Sequence, residues 1–195
     1  MNGVLLFGSS AALSRPEPTQ QQLDVTWGAW DNPASGNWVV VEQANDSLVT
    51  LSTSDYLASI NPTPVAALHG SAVYASGPAS GFIGSGSAGE VTQVLAGLTV
   101  DFDSGAISDG RLQVTVGETQ IWSLGFAGQL HAGVVTLNAT TGELLQAGTA
   151  ISDQIQANLG GVFTGSNADA FVGRFDLFDK LDAINEVNGL YTIER

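Results

Sequence analysis

The chain contains no cysteine, which excludes disulfides, thiolate nucleophiles and Cys-ligated zinc or iron–sulfur sites. Cations are nearly as scarce. Five Lys and Arg stand against 19 Asp and Glu, for a formal net charge of −14, and the only lysine is Lys180. Phosphate binding rests on clustered Lys and Arg, so no nucleic-acid partner is expected. No run approaches the roughly 18 consecutive apolar residues of a membrane helix. The start, Met1-Asn2-Gly3-Val4-Leu5-Leu6-Phe7, has a short apolar stretch without a basic leader and is no signal peptide. It reads as a cut edge, so flanking domains of a larger chain, carrying the targeting signal, are expected.

What is present describes a folded protein. The 195 residues are 44% hydrophobic and 12% charged, enough for one domain with a real core. Residues 1–23 include Arg15-Pro16-Glu17-Pro18 and Gln20-Gln21-Gln22, a polar stretch with two prolines that reads as a linker or N-terminal extension. From Asp24 to Arg195, clusters of Gly, Asn, Asp and Ser recur between runs rich in Val, Thr, Phe, Trp and Leu, the punctuation of short strands.

The clearest strand covers 97–103, where Leu98, Val100 and Phe102 alternate with Thr99, Asp101 and Asp103. Ser104-Gly105 supplies a two-residue reversal, and Leu112, Val114 and Val116 continue the pattern on the return. The alternation slips around Asp109-Gly110, which predicts a bulge. Trp122, Leu124 and Phe126 follow, with Gly125 and Gly128 at bends or close backbone approaches. Val135 and Leu137 precede an expected turn at Thr141-Gly142. Phe171, Gly173, Phe175 and Leu177 face one way on a later strand, as do Val187, Gly189, Tyr191 and Ile193 on the last. Only 63–68 and 180–186 tempt a helix assignment.

Eight to ten strands from Asp24 onward suit a meandering antiparallel sheet, and closing it removes the edges that would otherwise aggregate. The fold class expected is all-β, an antiparallel up-and-down barrel of about eight strands with a filled core. Glycine, 24 of 195 residues against a usual ~7%, fits turns and barrel corners.

Four segments carry a family resemblance: Val25-Thr26-Trp27-Gly28-Ala29-Trp30; Thr63-Pro64-Val65-Ala66-Ala67-Leu68 running into Gly70-Ser71-Ala72-Val73-Tyr74; 98–102 before the Ser-Gly turn; and Gly161-Val162-Phe163-Thr164-Gly165-Ser166-Asn167-Ala168-Asp169-Ala170. Their succession resembles the eight-stranded barrel domain of transferrin-binding protein B and its relatives, especially the version at the C-terminus of bacterial FecR-type surface and envelope proteins. The resemblance covers nearly everything after residue 23. It implies a compact barrel on a secreted or envelope-anchored protein, working by binding or display. It brings no catalytic residues, and the large loops and caps on which transferrin binding depends are missing, so that role is not implied.

Several local patterns invite a chemical reading. Gly84-Ser85-Gly86-Ser87-Ala88-Gly89 matches the G-x-G-x-x-G phosphate loop, but a dinucleotide domain needs repeated strand–helix–strand units and hairpin signals follow instead, so a loop or strand bend is expected. His69 and His131 lack metal-ligand spacing and read as surface or loop residues. Asp101, Asp103 and Asp109 offer hard oxygens for calcium, although the spacing fits no EF-hand and a solvated outer face is the plainer reading. Glu118, Glu143, Asp153 and Asp169 are isolated. No G-x-S-x-G elbow is present. Trp27, Trp30, Trp38 and Trp122 can stack on sugars, though core packing is favoured for each. The sequons Asn45-Asp46-Ser47 and Asn138-Ala139-Thr140 are treated as chance.

No catalytic, cofactor or metal residue is therefore assigned, and no cofactor is expected. The leading expectation is a non-enzymatic binding or display module, outside the cell, on its surface or in the periplasm, with a protein or small-molecule ligand left unidentified. A lipocalin-like carrier with an open lumen is the alternative. A membrane-spanning barrel, with apolar residues turned outward, is disfavoured by the weak apolar patterning and abundant polar loop.

Overall fold

The computed structural model describes the backbone of residues 13–16, 25–30, 49–53 and 56–195, with side chains at 53, 56, 58 and 60–195. Two antiparallel sheets are present. The smaller is formed by β1 (Leu13–Pro16), β2 (Val25–Trp30), β3 (Val49–Ser52) and β4 (Tyr56–Ile60), in the order β1-β2-β4-β3. The larger is a closed barrel of eight strand positions. Its strands are β5 (Ser71–Ala75), β6 (Phe82–Gly86), β7 (Gly89–Asp101), β8 (Ala106–Val116), β9 (Gln120–His131), β10 (Val134–Gln146), β12 (Ile155–Thr164), β13 (Ala170–Asp179) and β14 (Glu186–Glu194). A short β11 (Thr149–Ser152) hangs on the end of β10.

Each barrel strand pairs with the next in sequence, as an up-and-down meander requires. The first position is split: β5 pairs with the C-terminal half of β7, while β6 pairs with the start of β7 and with residues 187–191 of β14, closing the ring. The alternation read from the sequence selects the inner face. Leu98, Val100, Leu112, Val114, Val116, Trp122, Leu124 and Phe126 are all buried, as are Phe171, Phe175, Leu177, Val187, Tyr191 and Ile193. The interior is thus filled with side chains. Many residues facing out on the same strands are polar, among them Gln113, Thr115, Gln156, Asn158 and Asp176, in contrast to the apolar outer band of a lipid-facing barrel.

The filling depends on rings set against glycines. Tyr191 lies directly across from Gly173, Phe175 from Gly189 and Phe126 from Gly110. A Cβ on any of these glycines would collide with the ring opposite. The rings then meet one another: Tyr74, Phe163, Phe171, Tyr191 and Phe175 form a chain with centroids 5.1 to 6.3 Å apart, distances at which tilted aromatic pairs attract.

The small sheet explains a second buried layer. Ala58 and Ile60 of β4 pack against Val162, Ala170, Val172 and Leu190, outward-facing residues of β12, β13 and β14. Thr53 Oγ1 donates to Asn188 Oδ1 at 2.7 Å, and Thr63 N donates to Phe163 O at 2.8 Å, fastening the connection.

Several local expectations are revised. The barrel strands run from Ser71 onward, whereas Val25–Trp30, Val49–Ser52 and Tyr56–Ile60 belong to the small sheet, in which Leu13–Pro16 pairs with β2. The 104–105 reversal is a four-residue loop, 102–105, in which Gly105 has φ 75°. Thr141-Gly142 is no turn: both lie inside β10, where the register shifts between Ala139 and Thr141. The chain reverses instead at Ala132-Gly133 and Ala147-Gly148, with positive φ at both residues of each pair, the two-residue hairpin geometry in which alanine stands where asparagine is usual. The bulge at Asp109-Gly110 is present, with Asp109 at φ 52°. The 63–68 stretch gives only a single 3-10 turn, Val65–Ala67, and 180–185 is loop.

Two buried phenols lead to opposite expectations. Tyr74 donates to Ala168 O at 2.6 Å, whereas the Tyr191 hydroxyl has no hydrogen-bond partner among the described residues. Burial pushes both phenols well above their ordinary pKa. Tyr74→Phe is expected to cost about 1 kcal/mol in urea unfolding and Tyr191→Phe to be neutral or stabilising. Gly173→Ala, by overpacking, is expected to cost about 1–3 kcal/mol.

Candidate functional site

On the outer wall, where β7, β8, β9 and β10 run side by side, the barrel carries a cleft of about 670 Å³, within the ~300–1,000 Å³ range of small-ligand sites. Its shape follows from register. Arg111 of β8 lies opposite Gly97 of β7 and Gly125 of β9, and Gly125 lies opposite Thr141 of β10. One long side chain therefore stands between two residues that have none. A Cβ on Gly97 would sit 3.2 Å from Cζ and Nη2 of Arg111, so the guanidinium lies over the space that this glycine leaves open. The strands also bend here, since the register shifts at Gly97/Thr99, Ile107/Gly110 and Ala139/Thr141 fall on neighbouring strands.

The next outward row is Leu95, Gln113, Ser123 and Glu143, each opposite the next across the sheet. The side chains of Arg111, Gln113, Ser123 and Glu143 make no hydrogen bond or ion pair with any described residue. The other arginines with described side chains are engaged, Arg174 with Asn158 Oδ1 at 2.9 Å and Arg195 with Asn167 O at 3.2 Å. By contrast Ser76 and Thr141, at the margin, are committed to the backbone of Ala96 and Gly125. The cleft thus presents an open guanidinium, amide, hydroxyl and carboxylate beside an exposed leucine, Leu95.

The residues weighed from sequence fall elsewhere. The glycine-rich 84–89 segment is a tight hairpin: Gly84 and Gly86 end β6, Ser87-Ala88 turn, and Glu90 onward is strand, so no helix N-terminus exists to receive a phosphate. His69 is exposed, its Nδ1 2.7 Å from Asp103 Oδ1; Gly70 N donates to the other oxygen. The His69 contact, followed by that from Gly70, holds the Asp103 carboxyl below its usual range. Asp101 caps the same loop through Asp103 N and Ser104 N. Asp109 is bonded by Ser108. His131 is exposed at the end of β9. Among the described residues no three His, Asp or Glu converge on a common point.

Glu118 is exposed beside the β8–β9 turn, Asp153 accepts from Gln154, and Asp169 accepts from Ser166 and Asn167. Trp122 is fully buried and donates to Gln120 Oε1 at 3.0 Å. Trp27 and Trp30 lie on β2, opposite Ala58 and Leu13. Trp38 and the sequon at 45–47 lie outside the described residues, and Asn138-Ala139-Thr140 is exposed on β10. Among the described residues no helix is long and apolar enough to cross a membrane.

One end of the barrel carries a different feature. In the 180–185 loop, Leu181 is 68% and Ile184 77% exposed. The loop is tethered by Asp179, which accepts from Ser152 Oγ at 2.6 Å and Leu181 N at 2.9 Å, while Lys180 N donates to Gln154 O. Burial alone would raise the Asp179 carboxyl, but hydrogen bonds from Ser152, Leu181, Asn185 and Asp182 outweigh it and leave it below the usual range.

No protein-family model matches the chain, and no curated protein does. Solved structures do. The isotype 1 transferrin-binding protein B of serogroup B Neisseria meningitidis is similar over 96% of this chain and 36% of its own, at 16% identity and TM-score 0.48. Two mutant forms of the vaccine antigen transferrin-binding protein B of Haemophilus parasuis Hp5 are similar over 87% of this chain, at 13% identity. The single mutant has a TM-score of 0.46 over 33% of its own length, the double mutant 0.43 over 32%. This chain spans about a third of the length of those structures.

A depressed carboxyl stabilises the fold above its unfolded pKa of about 3.9 and loses that contribution as pH falls through the folded value. Asp179→Ala is expected to cost about 1–3 kcal/mol at pH 7 by stranding Ser152 and the Leu181 amide. The cost should shrink below pH 4, and hydrogen exchange should speed up within 180–185.

Proposed function

We propose that this chain is a non-enzymatic binding or display module, a solid barrel whose outer surfaces and loops do the work. The observation that carries the reading is the filled interior: Trp122, Tyr74, Tyr191, Phe163, Phe171 and Phe175, all less than 2% exposed, occupy the space a carrier would keep open. The lipocalin-like alternative is accordingly not favoured. Two further features support binding at the outside. Four polar side chains without a partner among the described residues share one cleft, and two large aliphatics stand exposed on one loop, an arrangement usually reserved for contact with a partner. Placement on a bacterial surface or envelope protein of FecR type, with residues 24–195 as the working module joined to flanking domains, rests on the sequence resemblance. Extracellular, cell-surface or periplasmic residence follows from that placement.

Two measurements test the reading. Thermal unfolding in the presence of haem or long-chain fatty acids is expected to leave Tm unchanged, since nothing can enter the lumen without displacing the ring chain; a saturable rise would restore the carrier. Fractionation of the native cells is expected to place the protein in the envelope or medium, and recovery from the cytosol would contradict the placement.

A further inference from the structure

We propose that the outer-wall cleft on β7–β10 binds a sugar acid, a monosaccharide-sized polyol bearing one carboxylate, with Arg111 as its anion fork. The proposal deepens the binding-module reading and rests on it.

The argument runs from backbone to ligand. The central strands of the cleft, β8 and β9, are paired on both sides at this level, so an extended peptide has no ladder to join on its floor and a ligand there is read by side chains. The only described cation lining the cleft is Arg111, whose guanidinium lies against Gly97 and has no hydrogen-bond or ion-pair partner among the described residues. A planar guanidinium held in this way offers two parallel N–H donors, the geometry that matches a carboxylate. In a chain of net charge −14, an arginine that lines a concavity with no partner among the described residues is the exception to its surroundings.

Glu143 shapes the choice of anion. It lies two strands from Arg111 and lines the same cleft without pairing to it. Its negative charge opposes a phosphate dianion but accepts hydroxyl protons, as does Gln113 Oε1; the Gln113 amide and Ser123 hydroxyl can donate in return. Leu95 and Ala75 supply the apolar wall that the C–H faces of a pyranose cover. Carboxylate, several hydroxyls and a modest apolar face describe a uronate-like sugar. A fatty acid fits poorly, because one leucine and one alanine cannot cover its chain.

The test is isothermal titration, with amide chemical shifts at Gly97 and Gly125, of the full chain against galacturonate, galactose, acetate and inorganic phosphate. Galacturonate is expected to bind saturably and to move both amides, with galactose and acetate each weaker by about tenfold or more, the loss expected when a charged hydrogen-bonded contact goes unmade. Arg111→Gln is expected to abolish binding with Tm unchanged, since Arg111 bonds no other described residue, and Gln113→Ala to weaken it. Absence of galacturonate binding, binding that survives Arg111→Gln, equal binding of galactose or acetate, or tighter binding of phosphate would each overturn the assignment. A failure here leaves the haem and fatty-acid unfolding experiment as the separate judge of the solid-barrel reading.

Discussion

A ring of eight strands closes only where the last can lie against the first, and in this chain that contact is made across glycines. Gly84 faces Gly189, and Gly86 faces Val187. A Cβ on Gly189 would meet Ile83 O, the Phe175 ring and Gly84 Cα; one on Gly86 would meet Glu186 O. The seam is lengthened at both ends by Thr192 N donating to Gly81 O at 2.8 Å and Ser87 N to Glu186 O at 2.9 Å. The glycine pattern that resembles a phosphate loop thus has a mechanical explanation. Its first two glycines permit closure, and its third, Gly89 at φ 122°, completes the hairpin into β7.

Closure determines what the molecule can do. A narrow ring has room for one layer of inward side chains, and here rings laid over Gly173, Gly189 and Gly110 take that room. With the lumen spent on stability, recognition is left to the outside. The same device, a large side chain beside small ones on neighbouring strands, recurs on the outer wall at Gly97, Arg111 and Gly125. Inside the ring it packs a core; outside it leaves a depression with a charge on its floor. The small sheet packs on β12 to β14, another part of the wall, and among the described residues none of its strands packs over the β7–β10 cleft.

The parts legible in the sequence were those governed by side-chain alternation. Leu98, Val100, Leu112 and Val114 declare a buried face because each inward residue is apolar and each outward one is not, and the slip at Asp109-Gly110 marks a real bulge. Alternation fails where both faces are covered. Val172 and Leu190 point outward yet are fully buried beneath β4, and nothing within β13 or β14 announces the second layer. The turns at Ala132-Gly133 and Ala147-Gly148 were hidden because alanine is a poor resident of the left-handed region, whereas Thr141-Gly142 looks like a turn and is absorbed into a long bulged strand. The cleft was the least legible part. Arg111, Gln113, Ser123 and Glu143 are spread over 33 residues of sequence and converge only through the pairing of three strands. The one local hint was an arginine whose cross-strand neighbours are both glycine, visible only once the register is known.

The central claim is that the ring is shut between β6 and β14, and amide hydrogen exchange along that ladder measures it directly. The account predicts that the ladder amides of 82–86 and 187–191 exchange as slowly as those of the β8–β9 pair, through the same global unfolding. Fast exchange of the 82–86 amides, as at the free edge of an open sheet, while β8 and β9 stay protected, would contradict it.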